Sequence, residues 1–300
     1  MRIDPKSAVM GYSALSDLSV IGCVSDKLLA QYYCSDGIRF LKRHLEHFGG
    51  FDLTEDRFLG FFHSQGEGNT FTRSIQSGLK LLPSFNPNAF RNIQRDIILF
   101  EKEIVAIVRK YLPFTLDFSQ VNVYLLFGIR GTSIVYDNEI AVDLCDAALF
   151  EDGQFIMDRL KGALAHEIHH IAVAQKFEEF AERLSCEEER IKYAIIEGLI
   201  SEGMAYLYLT PYLIELNAAQ WSHSMVDIEQ KIEQLRAVLF DPTVGLNGKM
   251  RMYDSLFDDS LKGYSMGYYM IQKLHQAYGS ETVIELLDDF RLFEAYDSLR

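Results

Sequence analysis

The stretch His166-Glu167-Ile168-His169-His170, inside Lys161–Ala174, is an H-E-x-x-H pattern. Residues four apart on a helix lie on one face about a turn apart, so His166 and His170 can aim their imidazoles at one point. Leu160, Leu164, Ile168 and Ile171 form an apolar stripe roughly opposite that face, which is the periodicity of a helix. Gly162, Ala163, Ala165, Ala172 and Ala174 crowd the same turns, so this helix is expected to be packed closely on most sides.

Two imidazoles in this arrangement match two ligands of a tetrahedral zinc ion. Glu167 lies beside them, placed to take a proton from water at the metal rather than to bind it. With eight His in 300 residues, two buried histidines and a chance Glu are an alternative, and a third ligand is what separates the readings. Glu197 and Glu202 are the candidates, in Glu197-Gly-Leu-Ile-Ser-Glu202-Gly-Met-Ala205. If the His166 helix runs to Arg183, it extends ~20 Å past His170 at about 1.5 Å per residue. A turn over 184–187 and an antiparallel return from Glu188 bring Ser201 or Glu202 level with His170. Glu197 would fall short by roughly 7 Å along the axis. The expected metal ligands are therefore His166, His170 and Glu202, holding one Zn2+ per chain, with Glu197 pairing with a cation or supporting a histidine from behind the ligands.

Composition limits the partners. A net charge of −14 disfavours nucleic acid and anionic membrane surfaces. No run approaches the ~18 apolar residues of a membrane span, and Met1–Met10 lacks the long apolar run of a signal peptide. A cytoplasmic protein with peptide or protein substrates is the expectation. Cys23, Cys34, Cys145 and Cys186 show no CxxC spacing and read as reduced core thiols.

Taken in order, residues 17–48 have helical periodicity, with a break near Ser35-Asp36-Gly37, and Gly49-Gly50 ends that unit. Residues 51–88 are the least regular, with loop signals at 63–70 and 83–87. Helix resumes over 89–112 and stops at Pro113. The period then changes to two. Val121–Phe127, Thr132–Tyr136 and Glu139–Leu144 read as strands, with Gly128–Gly131 as a turn. A small antiparallel sheet before the H-E-x-x-H helix can offer an edge to an extended peptide, or only cover the helices. Further helices are expected from Glu188 to about Leu209, then at 226–239, 263–278 and 281–290, with a loop from Asp241 to Gly248. The fold class expected is mainly α (α+β): a helical bundle with that sheet and a zincin-like catalytic part. The division falls into residues 1–115 and 116–300, or the whole forms one compact domain.

Two imidazoles and a carboxylate leave a fourth zinc position for water, the open arrangement of a catalytic site. Hydrolysis also needs a donor for the developing oxyanion, and Tyr264 is the first candidate, with Tyr268 behind it. His169 cannot fully share the metal face with His166 and His170 and is cast as a residue supporting the ligands from behind or a structural one. His44 and His47, three apart, are read as decorating a helix end.

The block Ala165–Tyr206, H-E-I-H-H followed by L-I-S-E-G-M-A, resembles gluzincin-type metallopeptidases. It is most similar to bacterial zinc-dependent protease families known mainly as domains of unknown function, which carry HExHH and then EGLA. Gly263-Tyr-Ser-Met-Gly-Tyr-Tyr-Met270 is similar to their downstream G-Y-x-x-G-Y stretch. The resemblance covers about the last 180 residues. It implies His166, His170 and Glu202 as ligands, Glu167 as base, and a mainly helical catalytic part. Tyr206 stands where some gluzincins place an acidic residue that orients a histidine, so that role is unassigned. The reading is a zinc-dependent peptidase; the alternative is a catalytically weak zincin-fold binding or regulatory protein.

Overall fold

Val123 and Leu125 alternate with the more accessible Asn122 and Tyr124, whereas Ile140, Ala141, Val142 and Asp143 are all fully buried, and both stretches lie in a four-stranded sheet. The computed structural model describes residues 1–49, 51–63, 70–86, 88–112, 117–257 and 261–299. The strands are β1 (Arg2–Asp4), β2 (Asn122–Leu126), β3 (Ser133–Tyr136) and β4 (Glu139–Asp143), in the order β1-β2-β4-β3. β2 pairs in parallel with β1 (Arg2↔Asn122) and with β4 (Asn122↔Glu139), and only β3 and β4 are antiparallel (Ser133↔Val142). The sheet is therefore mixed, where three neighbouring strands suggested a wholly antiparallel one. The reason lies in Gly128–Gly131, which does not close a hairpin but carries the chain past the place β4 fills.

One carboxylate holds that excursion. Asp143, fully buried, accepts backbone N–H bonds from Gly128 (2.7 Å), Ile129 (2.8 Å), Arg130 (2.6 Å), Gly131 (2.8 Å) and Cys145 (2.9 Å). Gly128 and Gly131 take φ of 69° and 74°, a region that side chains resist. A two-stranded ribbon, β5 (Phe150–Glu151) with β6 (Gln154–Phe155), follows.

Helices make up most of the rest. Ahead of β2 they are α1 (Lys6–Ile21), α2 (Asp26–Tyr33), α3 (Asp36–Gly49), α4 (Glu55–His63), α5 (Thr70–Leu81), α6 (Asn88–Arg95) and α7 (Ile97–Arg109). The region read as irregular thus holds α4 and α5. They are short and flank residues 64–69, but Phe58 and Phe62, and Phe71 and Ile75, bury one face each at four-residue spacing. The loop expected at 64–69, Pro87 and the boundary at Pro113 lie outside the described residues. All four cysteines are free, and only Cys145 is buried; Cys23, Cys34 and Cys186 are exposed rather than core thiols.

After the ribbon come α8 (Met157–Ala181), α9 (Glu187–Met204), α10 (Tyr212–Leu216), α11 (Ala218–Ser224), α12 (Ile228–Phe240), α13 (Leu246–Leu256), α14 (Lys262–Asp289) and α15 (Leu292–Asp297). α13 begins inside the stretch expected to be loop. Gly279, at φ 85° and ψ −179°, interrupts α14 between the two helices the periodicity separates. Contacts cluster into two compact units, Met1–Ala106 with Asp117–Glu167, and Ile107–Leu116 with Ile168–Arg300, and α8 runs from the first into the second. Among the described residues, no helix is long and apolar enough to cross a membrane.

In the second unit α9 returns antiparallel to α8. Glu178 meets Arg190 (2.5 Å), the Phe180 and Tyr193 rings lie 4.9 Å apart, and His170 meets Ser201. On another side α9 touches α14 backbone to backbone. A Cβ added at Gly203 would sit 2.5 Å from the Gly267 carbonyl oxygen, and one added at Gly267 would sit 2.2 Å from that of Leu199. Only glycine permits this approach. Gly267→Ala is therefore expected to cost roughly 1–3 kcal/mol of stability, read as a lower urea midpoint at unchanged slope. Gly245→Ala, where nothing lies within 4 Å of the added carbon, should shift it far less.

Candidate metal centre

The apolar stripe of α8 faces the core as its spacing requires: Leu160, Leu164 and Ile168 have no exposed surface and Ile171 has 3%. That orientation fixes where the polar residues point. His166 is buried at 7% exposure, and desolvation pushes its pKa down to about 4. At neutral pH it is an uncharged imidazole with a lone pair to offer. His169 is fully buried and its ring centroid lies 6.3 Å from that of His170. Glu167 and His170 are half-buried.

α9 supplies the other groups. His170 Nε2 lies 3.6 Å from Glu202 Oε1, while His170 Nδ1 lies 2.7 Å from the Ser201 hydroxyl. Ser201 is 2% exposed. With Nδ1–H donating to Ser201 Oγ, the proton sits on that nitrogen and Nε2 keeps its lone pair toward Glu202. Sequence reasoning missed Ser201. Its signal was its place beside Glu202, at the level that helix counting matched to His170.

One nitrogen from each of His166 and His170 and one oxygen from Glu202 lie within 4.8 Å of one another. Among the described residues this is the group of three such side chains able to hold a metal ion. Nitrogen and oxygen donors in this set suit zinc, with a fourth position left open. At usual bond lengths a tetrahedral zinc wants its donors about 3.4 Å apart, so small side-chain rotations close the group. Burial raises the Glu202 pKa, and the charge of His170 lowers it in part.

Glu197 is not in that group. Its pKa is pushed up to about 8, first by burial and then by the negative charges of Glu202 and Glu178. Gly198 makes room for the ring of Phe257, whose Cζ would lie 2.5 Å from an added Cβ. His44 and His47 belong to a ring cluster with Phe48 and Tyr136 in the other unit, and His47 Nδ1 lies 3.4 Å from the Tyr136 hydroxyl.

Just past Glu202 the helix widens into a π-helical turn, Ala205–Leu209, closed by the Thr210 N–H on the Ala205 carbonyl (3.0 Å). Such turns re-aim side chains near functional sites. Here Tyr206 meets Trp221 (5.0 Å) and Tyr264 (6.1 Å) edge to face, and Tyr264 meets Phe257 at 5.9 Å. Tyr264 is half-buried near the start of α14. Tyr268 packs on Trp221 (5.5 Å) and its hydroxyl accepts from Gln272 (2.7 Å). The line of rings through Phe257, Tyr264 and Tyr206 flanks the stretch of α9 that carries Glu202.

A family model described as "Putative zinc dependent peptidase (DUF5700)" matches residues 90–299. No curated protein and no solved structure matches the chain.

The His170–Ser201 bond gives a direct test of this geometry. Ser201→Ala is expected to weaken zinc binding by 10–100-fold, as loss of an outer partner of a ligand histidine does. Competition against a chelating dye reads it, with stability compared in zinc-free buffer.

Proposed function

The chain belongs to the zinc-dependent peptidase family so described, and on that premise we propose that it is a gluzincin-type hydrolase of peptide bonds. The observation that carries the reading is the convergence of His166, His170 and Glu202, with Glu167 next in sequence to the first ligand. Those three would hold one zinc ion per chain. When bound, zinc supplies Lewis acidity to a water molecule and to the substrate carbonyl.

The chain's own groups do the rest. Glu167 accepts a proton as the water oxygen bonds to the carbonyl carbon and the C=O π pair moves onto oxygen. It then returns that proton to the amine nitrogen, which takes the electron pair of the breaking C–N bond. Tyr264 is assigned as a hydrogen-bond donor to the carbonyl oxygen as charge develops there. Ser201 holds His170 in the tautomer that binds, and Glu197 does not bind the metal. The substrate is a peptide or a protein segment.

Zinc analysis after gentle purification should find one ion per chain; zinc near zero, with no uptake on addition, would count against the site. Glu167→Gln should keep the zinc and lose hydrolysis by about 10²–10⁴-fold, whereas a variant that sheds its zinc would make Glu167 a ligand. A zinc-loaded wild type that binds peptides but cleaves none would favour the binding or regulatory alternative. In a zinc titration Glu202→Ala should lower affinity by orders of magnitude and Glu197→Ala by far less; the reverse ranking overturns the ligand assignment.

A further inference from the structure

Gly198, Glu202 and Tyr206 recur at four-residue spacing along α9 and the π-helical turn that continues it, so they share one face. Glu202, whose Oε1 lies 3.6 Å from His170 Nε2, stands at the middle of that face. One turn before it, the Phe257 ring fills the space that Gly198 leaves open. One turn after it comes Tyr206. Helical side chains lean toward the N-terminus, so the Tyr206 ring covers the turn that carries Glu202. The Tyr264 ring joins the two ends, 5.9 Å from Phe257 and 6.1 Å from Tyr206, at interplanar angles of 85° and 82°. Three rings therefore form a continuous edge-to-face wall along the metal ligand.

This wall is braced behind and open in front. Trp221, 3% exposed, packs 5.0 Å from Tyr206 and 5.5 Å from Tyr268. Phe257, Tyr264 and Tyr206 are only half-buried, so each keeps surface of its own. Aromatic pairs favour edge-to-face packing, and a further ring would extend the series. Two neutral imidazoles and one carboxylate leave a divalent cation with net positive charge, which disfavours a Lys or Arg side chain beside it. Tyr206 also stands where an acidic neighbour of the ligands was a possibility; a phenol there offers a ring where a carboxylate would offer charge.

Building on the peptidase reading, we infer that Tyr206, with Phe257 and Tyr264, walls a subsite for an aromatic substrate side chain adjoining the peptide bond held at the metal centre. The Tyr264 hydroxyl keeps its role toward the carbonyl oxygen, and its ring forms the middle of the wall. The subsite contributes apolar contact rather than proton transfer, so loss of the substrate ring falls on kcat/KM.

The test uses the full-length, zinc-loaded protein and internally quenched peptides varied on both sides of the cleaved bond. Wild type should prefer Phe to Ala by at least about 10-fold in kcat/KM at one flanking position. Tyr206→Ala should cut that ratio to below about 3-fold, and Tyr206→Phe, which restores the ring, should restore it. A ratio taken within one variant cancels any loss of folded protein. Binding gives a second readout, because Trp221 is the one tryptophan of the chain. Zinc-loaded Glu167→Gln is titrated with a blocked polyalanine peptide carrying one central Phe, and with the all-alanine peptide. Trp221 emission should change saturably, at least about 10-fold more tightly with the Phe peptide, and Tyr206→Ala should abolish the difference. An active protein without the Phe preference, one that prefers Lys or Arg at both positions, or one whose preference survives Tyr206→Ala overturns the inference and leaves the peptidase reading standing. A zinc-loaded wild type that cleaves no peptide overturns that reading. The emission titration then decides the subsite by itself, and an equal response to both peptides overturns it.

Discussion

The centre depends on the register between α8 and α9. A helix advances about 1.5 Å per residue, so the turn at 182–186 decides which residue of α9 comes level with His170. Contacts at three heights record the outcome: Glu178 with Arg190, Phe180 with Tyr193, and His170 with Ser201. A slip of one residue would rotate Glu202 by about 100° around its axis and remove it from the histidines. The register is held from outside as well. Gly203 and Gly267 bring α9 and α14 into backbone contact, and Phe257 keys into the gap at Gly198. The glycines that flank Glu202 in E-G-L-I-S-E-G thus belong to the packing that aims it.

Burial then sets the chemistry of each group. Removing charge from water is costly, so His166 is held uncharged and Glu197 is pushed to about 8. The carboxyl beside His170, that of Glu202, is the one placed to gain from a cation. A bound cation would supply positive charge there. Around this centre the second unit places phenols and apolar rings, with Tyr206 where an acidic residue was a possibility. The serine hydroxyl of Ser201 orients His170 instead.

Much of this was legible beforehand, because the decisive facts are helical spacings. His166 with His170, the stripe from Leu160 to Ile171, and the hairpin length all follow from 3.6-residue periodicity. What escaped is non-local. β1 pairs with β2 across more than a hundred residues of chain, and no pattern in Arg2–Asp4 announces it. The parallel pairing of β2 with β4 depends on Asp143 gathering five N–H groups, which alternation alone cannot reveal. α13 was hidden behind loop residues at Pro242 and Gly245. The ring that fills the gap at Gly198 is Phe257, far downstream in the chain.

X-ray absorption at the zinc edge of the metal-loaded protein measures the central claim most directly. Two imidazole nitrogens and low-Z oxygen ligands at about 2.0–2.2 Å, four in total, with the imidazole scattering halved in His170→Ala, are what this geometry predicts. Sulfur scattering at about 2.3 Å, or a spectrum that His170→Ala leaves unchanged, would contradict it.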